Sequence, residues 1–295
     1  MKPTAWQDPL TRMTANDLTT WLQNAARLLT QISETPNLEA QLLLARVLNQ
    51  ARPWIMAHAD QLLTEIEERQ ANTLLQRRLQ GEPLPYILQH QEFYGLDFHV
   101  TPAVLIPRPE TELLVDKALS WITSNRGRNF AVDVGTGSGC IAVSLAVHAP
   151  DLVCLAVDAS FPALQTTRGN AAAHHVLDRV WTLQSDLLSG VSTRFDLICA
   201  NLPYIPSQIV SNLEVARHEP LSALDGEMDG LSLIRRLLED APRITEPGGL
   251  ILLEVEAGHG ETAPTLAARL MPTARISLHP DLAGHPRLLE IQLPE

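Results

Sequence analysis

AVDVGTGSGCIAVSLA, residues 131–146, is the stretch that decides the fold. A short apolar strand runs into Gly135-Thr136-Gly137-Ser138-Gly139 and passes directly into small and apolar residues suited to a buried helix. Glycine is needed where a chain reverses this tightly and brings its backbone up to a ligand, because a Cβ would stand in the way. The pattern is that of a nucleotide-binding turn, although glycines alone would also serve a plain strand-to-helix turn.

Working outward, the same alternation repeats. FAVDV (130–134), LVCLAV (152–157), RVWTLQ (179–184), FDLICA (195–200) and GLILLEVE (249–256) are short apolar strands separated by helical stretches. Continuous apolar strands alternating with helices imply a parallel sheet covered on both faces. ARISL (274–278) and RLLEIQL (287–293) are joined by the turn-rich HPDLAGHP, too short for a crossover helix, so they are expected to pair antiparallel at a sheet edge. Upstream, Leu18, Trp21, Leu22, Ala25, Leu28, Leu29 and Ile32 recur at helical steps, and further amphipathic runs cover 38–48 and 65–79, the last ending at Gly81. Residues 81–108 turn to proline, aromatic and β-branched residues, predicting a linker with a short hairpin, its strand region at 92–98; a helix is expected over 110–121.

Two acids end strands beside the glycine turn. Asp158 closes LVCLAVD and could accept from both hydroxyls of a ribose; Asp186 closes TLQSD and could accept from an adenine amino group. Each could instead cap a helix or a turn. Three strand ends converging on one crevice favour the ligand reading. The GxGxG spacing resembles the first motif of Rossmann-like methyltransferases, which implies S-adenosyl-L-methionine as ligand. In that resemblance Asp133 orients the loop and Leu187 flanks the adenine.

FDLICANLPYIP (195–206) follows the fourth strand. Asn201-Leu202-Pro203-Tyr204 resembles the NPPY signature of methyltransferases acting on planar amide or amine nitrogens, with Leu202 in place of the first proline. An amide nitrogen is a poor nucleophile, its lone pair being delocalised into the carbonyl. The Asn201 side-chain carbonyl and the Leu202 main-chain carbonyl could each accept one N–H of a substrate NH2, aiming the lone pair at a methyl donor. Fixed carbonyl dipoles would also stabilise the positive charge that develops on the nitrogen. Pro203 would stiffen the turn and Tyr204 could pack on the flat amide. Because the second acceptor is main chain, leucine at 202 retains it, and activity is expected.

The segments at 81–115, 218–238 (HEPLSALDGEMDGLSLIRRLL), 247–261 (PGGLILLEVEAGHGE) and 281–291 (DLAGHPRLLEI) resemble, in order, the blocks of the release factor glutamine methyltransferase family. IPRPETE (106–112) separates that family from relatives acting on a ribosomal protein. The resemblance implies a Rossmann-like class I methyltransferase domain of α/β class, with a mostly parallel seven-stranded sheet, and a small helical N-terminal domain joined by a β-hairpin linker. The expected divisions are 1–82 (helical, substrate recognition), 83–106 (linker) and 107–295 (catalysis). It further implies S-adenosyl-L-methionine as cofactor, held by Gly135, Thr136, Gly137, Ser138, Gly139, Asp158, Asp186, Leu187 and Asn201. The glutamine of a release factor's Gly-Gly-Gln tripeptide is the implied substrate, gripped by Asn201, Leu202, Pro203 and Tyr204. Of residues near the domain junction, Arg108, Glu110 and Glu112 could position the cofactor loop or cap the next helix, capping being preferred for the two acids. His218, Glu219 and Pro220 could loop over the substrate.

Composition narrows the alternatives. With 45% hydrophobic and 19% charged residues the chain has ample material for a folded core. A formal net charge of -12 disfavours a polyanionic substrate, weighing against an adenine-N6 nucleic-acid methyltransferase. A non-catalytic binding module, with Leu202 marking a decayed site, is the reading from another class. The ten histidines lack HExxH-type spacing, and Cys140, Cys154 and Cys199 lack zinc-ligand spacing and are expected to be buried free thiols, so no metal is expected. The N-terminal segment lacks the apolar stretch of a signal peptide, no membrane span is expected, and the chain is expected in the cytoplasm.

Overall fold

The computed structural model describes residues 17–295, which form two compact units divided between Gln89 and His90. The opening residues read for a signal peptide lie outside the described residues.

The first unit contains α1 (Leu18–Leu29), α2 (Pro36–Leu48), α3 (Arg52–Ala57), α4 (Glu65–Leu79) and α5 (Leu84–Leu88). The helical periodicity of α1 is real as far as Leu29: Leu18, Trp21, Ala25 and Leu29 are buried, whereas Ile32 lies past the helix end and is exposed. Asp17 caps α1 by accepting from Thr20 N at 2.8 Å, and Thr64 with Glu67 forms a reciprocal capping box at the start of α4. The unit's boundary passes the expected edge at 82 because Ile87 and Leu88 of α5, within the stretch read as linker, enter the helical core.

The second unit opens with a hairpin, β1 (His90–Phe93) and β2 (Leu96–His99). The expected strand region 92–98 therefore contains the turn, Tyr94 and Gly95, both at positive φ as a two-residue hairpin turn demands. The rest comprises α6 (Glu112–Ser124), β3 (Phe130–Val134), α7 (Cys140–His148), β4 (Val153–Asp158), α8 (Phe161–Ala173), β5 (Val180–Gln184), β6 (Phe195–Ala200), α9 (Ser207–Val210), α10 (Ser232–Ile244), β7 (Thr245–Glu254), α11 (Thr262–Leu270), β8 (Arg275–Pro280) and β9 (Pro286–Gln292). The seven-stranded sheet has order β5-β4-β3-β6-β7-β9-β8, with β9 antiparallel between β7 and β8 and the other pairings parallel. Its strands alternate faces: Val132, Val134, Ile198 and Ile251 join the core beside α10 and α11, while Ala131, Leu197, Cys199 and Leu252 join the one beside α6 and α7. Cys154 and Cys199 are buried free thiols as expected, and Cys140 is half-buried. Among the described residues there is no metal-ligating cluster and no helix long and apolar enough to cross a membrane.

Candidate active site

The sheet order places the site. β3, β4 and β5 run outward to one side and β6 lies on the other side of β3, so the switch point falls between β3 and β6, where a crevice opens at the carboxyl ends of the strands. Val134 pairs with Ala200 across that boundary. The glycine turn after β3 and the Asn201 tetrad after β6, 66 residues apart counting from Gly135 to Asn201, thus become neighbours by register alone.

The turn is held by its own backbone and two acids. Gly135 N and Thr136 N donate to Val157 O at 2.8 and 3.0 Å. Asp158 accepts from Gly137 N at 2.9 Å and from Ser160 N at 2.8 Å, so its carboxylate braces the loop while each oxygen retains a lone pair for a further donor. Asp133, fully buried, accepts from Thr136 Oγ1 at 2.6 Å and Ala142 N at 3.2 Å; desolvation, outweighing those hydrogen bonds, pushes its carboxyl up to about 7. Gly135, Gly137 and Gly139 all sit at positive φ. A Cβ at Gly139 would lie 2.8 Å from Thr167 Cγ2, so this third glycine permits close packing of α7 against α8.

A cavity of about 420 Å³ opens over this turn, within the range of small-molecule sites. Residues 135–138 line it together with Asp158, Asp186, Leu187, Asn201, Leu202 and Pro203; Gly139 and Tyr204 do not. The walls fit a nucleoside with a polar tail. Ser138 Oγ is buried and, apart from the weak Cys140 thiol, without a partner among the described residues, an orphan that a polar ligand group would satisfy. Asp158 faces the same space from the end of β4, as a ribose acceptor should. Leu187 is held at φ +47, a left-handed conformation costing a leucine about 1–2 kcal/mol, and such strain gathers at ligand sites. Asp186 is mostly exposed and one of its oxygens is taken by Arg236 at 2.6 Å. That arginine, on α10, could not be anticipated from the strand-end argument.

The tetrad side is built by residues from four segments. Asn201 Nδ2 donates to Thr111 Oγ1 at 3.1 Å, and Thr111 Oγ1 donates to the buried Glu254 at 2.6 Å. Burial, ahead of the Thr111 hydrogen bond and the Arg287 charge that oppose it, pushes Glu254 up to about 7. Leu202 turns its side chain into the core, and among the described residues no donor engages its carbonyl. Tyr204 is half-buried, and burial with the Glu254 charge pushes its hydroxyl up to about 12. The backbone of Pro203 and Tyr204 lies against Gly226 and Gly230: a Cβ at Gly226 would meet Tyr204 Cα at 2.7 Å, and one at Gly230 would meet Tyr204 O and the His259 ring.

Other expectations resolve differently. Glu112 does not cap α6; it accepts from Tyr94 N at 2.9 Å and pins the hairpin turn. Glu110 makes no capping bond either. Glu219 is buried, accepting from Ile106 N at 3.2 Å and pairing with Arg108 at 2.5 Å, which ties the 218–220 loop to the 106–108 segment beside the cavity. Thr111, Glu254, Gly226 and Gly230 carried no assigned role in the sequence, although each lies in a segment that bears the family resemblance.

Comparison with known proteins bears on these observations together. Residues 20–88 match the model described as PrmC N-terminal domain, and residues 111–218 match that described as Methyltransferase small domain. A release factor glutamine methyltransferase of Bradyrhizobium diazoefficiens is 37% identical over 89% of this chain and 90% of its own length. One of Moorella thermoacetica is 39% identical over 86% of this chain and 90% of its own. Among solved structures, a methyltransferase from Pyrococcus furiosus aligns at TM-score 0.51 and 17% identity over 77% of this chain and 98% of that one, a likeness of fold.

Proposed function

The chain belongs to the release factor glutamine methyltransferase family, and from that premise we propose how its residues methylate the side-chain amide nitrogen of a glutamine in the Gly-Gly-Gln motif of a peptide chain release factor. It is an S-adenosyl-L-methionine-dependent protein-(glutamine-N5) methyltransferase. When bound, the cofactor supplies an electrophilic methyl group on a sulfonium.

The protein's own task is orientation. Asp158 would hold the nucleoside end, with Ser138, Asp186 and Leu187 around it and the glycine turn leaving room for the backbone to approach. Asn201 Oδ1 and the Leu202 carbonyl accept the two N–H groups of the substrate amide, turning its lone pair toward the methyl. With the lone pair so aimed, the amide nitrogen would be set to take the methyl group the cofactor supplies, one N–H proton then passing to solvent. The two carbonyl dipoles stabilise the positive charge developing on nitrogen more strongly than they bind the neutral amide, which is the catalytic gain. Pro203 completes the wall against which the flat amide rests, with Tyr204 next to it in the chain.

The single observation carrying this reading is the Val134–Ala200 pairing, which puts the tetrad's acceptors beside the glycine turn. A release factor is the partner; the helical N-terminal unit recognises it, the methyltransferase domain proper takes in 107–295 of the second unit, and a cytoplasmic location agrees with a role in translation termination. The net charge of -12 supports a protein rather than a nucleic-acid substrate.

Incubation with methyl-labelled cofactor and either a release factor or RNA tests the reading. Label is expected on the tripeptide glutamine, located by mass spectrometry, and Asn201→Ala is expected to lower kcat about 100-fold, as loss of one preorganised dipole does elsewhere. Label on RNA alone, or undiminished transfer by Asn201→Ala, defeats it.

A further inference from the structure

Building on the methyl-transfer reading, we propose that Thr111 and Glu254 are positioning residues that determine which end of the Asn201 carboxamide faces the substrate. The two ends of a carboxamide are nearly equal in size, so packing does not choose between them; hydrogen bonding does. The choice matters because the substrate's NH2 is itself a donor. An Asn201 oxygen in the cavity grips it, whereas an Asn201 NH2 there repels it.

The chain of bonds settles the orientation. Glu254 is 2% exposed and, when ionised, only accepts. It takes the one hydroxyl hydrogen of Thr111 at 2.6 Å. With that hydrogen used, Thr111 Oγ1 can only accept, and Asn201 Nδ2 at 3.1 Å is its donor. Asn201 Oδ1 is thereby left without a partner among the described residues, on a side chain that lines the cavity.

Protonating Glu254 reverses the logic. A neutral carboxylic acid can donate to Thr111 Oγ1, which frees the threonine hydrogen for Asn201 Oδ1 and lets the carboxamide turn its NH2 toward the substrate. The groups facing Glu254 are Thr111 and Glu110 in the turn before α6, Arg108 just ahead of it, Cys140 at the start of α7, Arg287 on β9 and Tyr204 in the tetrad. Desolvation outweighs the two arginines and brings its carboxyl up to about 7, so the orienting form is gained as pH rises through neutrality.

The test uses the full chain with Thr111→Val, Thr111→Ser and Glu254→Gln. In Thr111→Val kcat on a release factor is expected to fall about tenfold with little change in KM, and Thr111→Ser, which keeps the hydroxyl, is expected to restore it. The kcat profile of the parent and of Thr111→Ser should rise through neutral pH, and that limb should vanish in Thr111→Val and Glu254→Gln. Without any cofactor, the side-chain ¹⁵NH2 signal of Asn201 in asparagine-labelled protein, identified by its loss in Asn201→Ala, should titrate near pH 7 in the parent and stay flat in Thr111→Val. The proposal is overturned if Thr111→Val matches the parent within twofold across the profile, if Thr111→Ser is as impaired as Thr111→Val, or if the Asn201 signal titrates alike in parent and Thr111→Val. A parent inactive on every release factor defeats the functional reading instead, and the ligand-free titration then decides the orientation by itself.

Discussion

Gly226→Ala should damage catalysis without touching the cofactor's binding surfaces. The alanine Cβ would lie 2.7 Å from Tyr204 Cα, 2.8 Å from Gly230 Cα and 2.8 Å from Pro203 O. All three obstacles are backbone, so no side chain can swing aside. Ordinary contact begins near 3.4 Å, so relief requires a separation greater by 3.4 − 2.7 = 0.7 Å, taken up by the Gly226 loop, the tetrad or both. The Gly226 loop is itself tied to the tetrad's continuation, with Gly226 N donating to Ile205 O at 2.8 Å and Ile205 N to Leu224 O at 3.1 Å. Much of the displacement therefore reaches Pro203 and Tyr204, next to the Leu202 carbonyl. A shift near 1 Å in a positioning group can cost on the order of 100-fold in rate, so a fall in kcat of about 10- to 100-fold is expected. Overpacking of this kind destabilises by about 1–3 kcal/mol, visible as a lower melting temperature. Steady-state transfer of labelled methyl to a release factor gives kcat, and calorimetry gives the cofactor's Kd, which should remain within about threefold because Gly226 does not line the cavity. A kcat within twofold of the parent, in a variant that melts at the parent's temperature, would refute the argument that the glycine buttresses the tetrad.

Two further substitutions probe the glycine turn. Gly139→Ala must hold alanine at φ +81 and push against Thr167 Cγ2 at 2.8 Å, together worth about 2–5 kcal/mol, and adding Thr167→Ser should recover part of the loss in a urea titration; equal stability of single and double variants would count against the clash. Asp133→Asn tests the buried acid: because folding raises this carboxyl from 3.8 to about 7, its contribution to stability is complete below pH 3.8 and is lost as pH rises through about 7. The melting temperature of Asp133→Asn relative to the parent should therefore climb between pH 5 and pH 8, and curves that stay parallel would show that Asp133 does not titrate in this window.

The strand–glycine–helix unit, the alternation of strands and helices and the antiparallel final pair were legible because each rests on local period and turn chemistry, which the chain displays without folding. For the same reason Gly135, Asp158, Asn201 and Leu202 could be named as strand-end candidates, and the tetrad's likeness supplied a chemistry for them. Local pattern misled where burial overruled it: α5 lies in a proline-rich stretch read as linker, and Glu112, read as a cap, spans to the hairpin turn. What only the tertiary structure decided is which distant residues meet. Thr111, Asn201 and Glu254 stand 90 and 143 positions apart along the chain at their two links, and Gly226 touches a turn it follows by more than twenty residues. No periodicity encodes such pairs; they arise because parallel strands bring loops from separate crossovers to one end of the sheet, where a single buried carboxylate can govern the amide beside it.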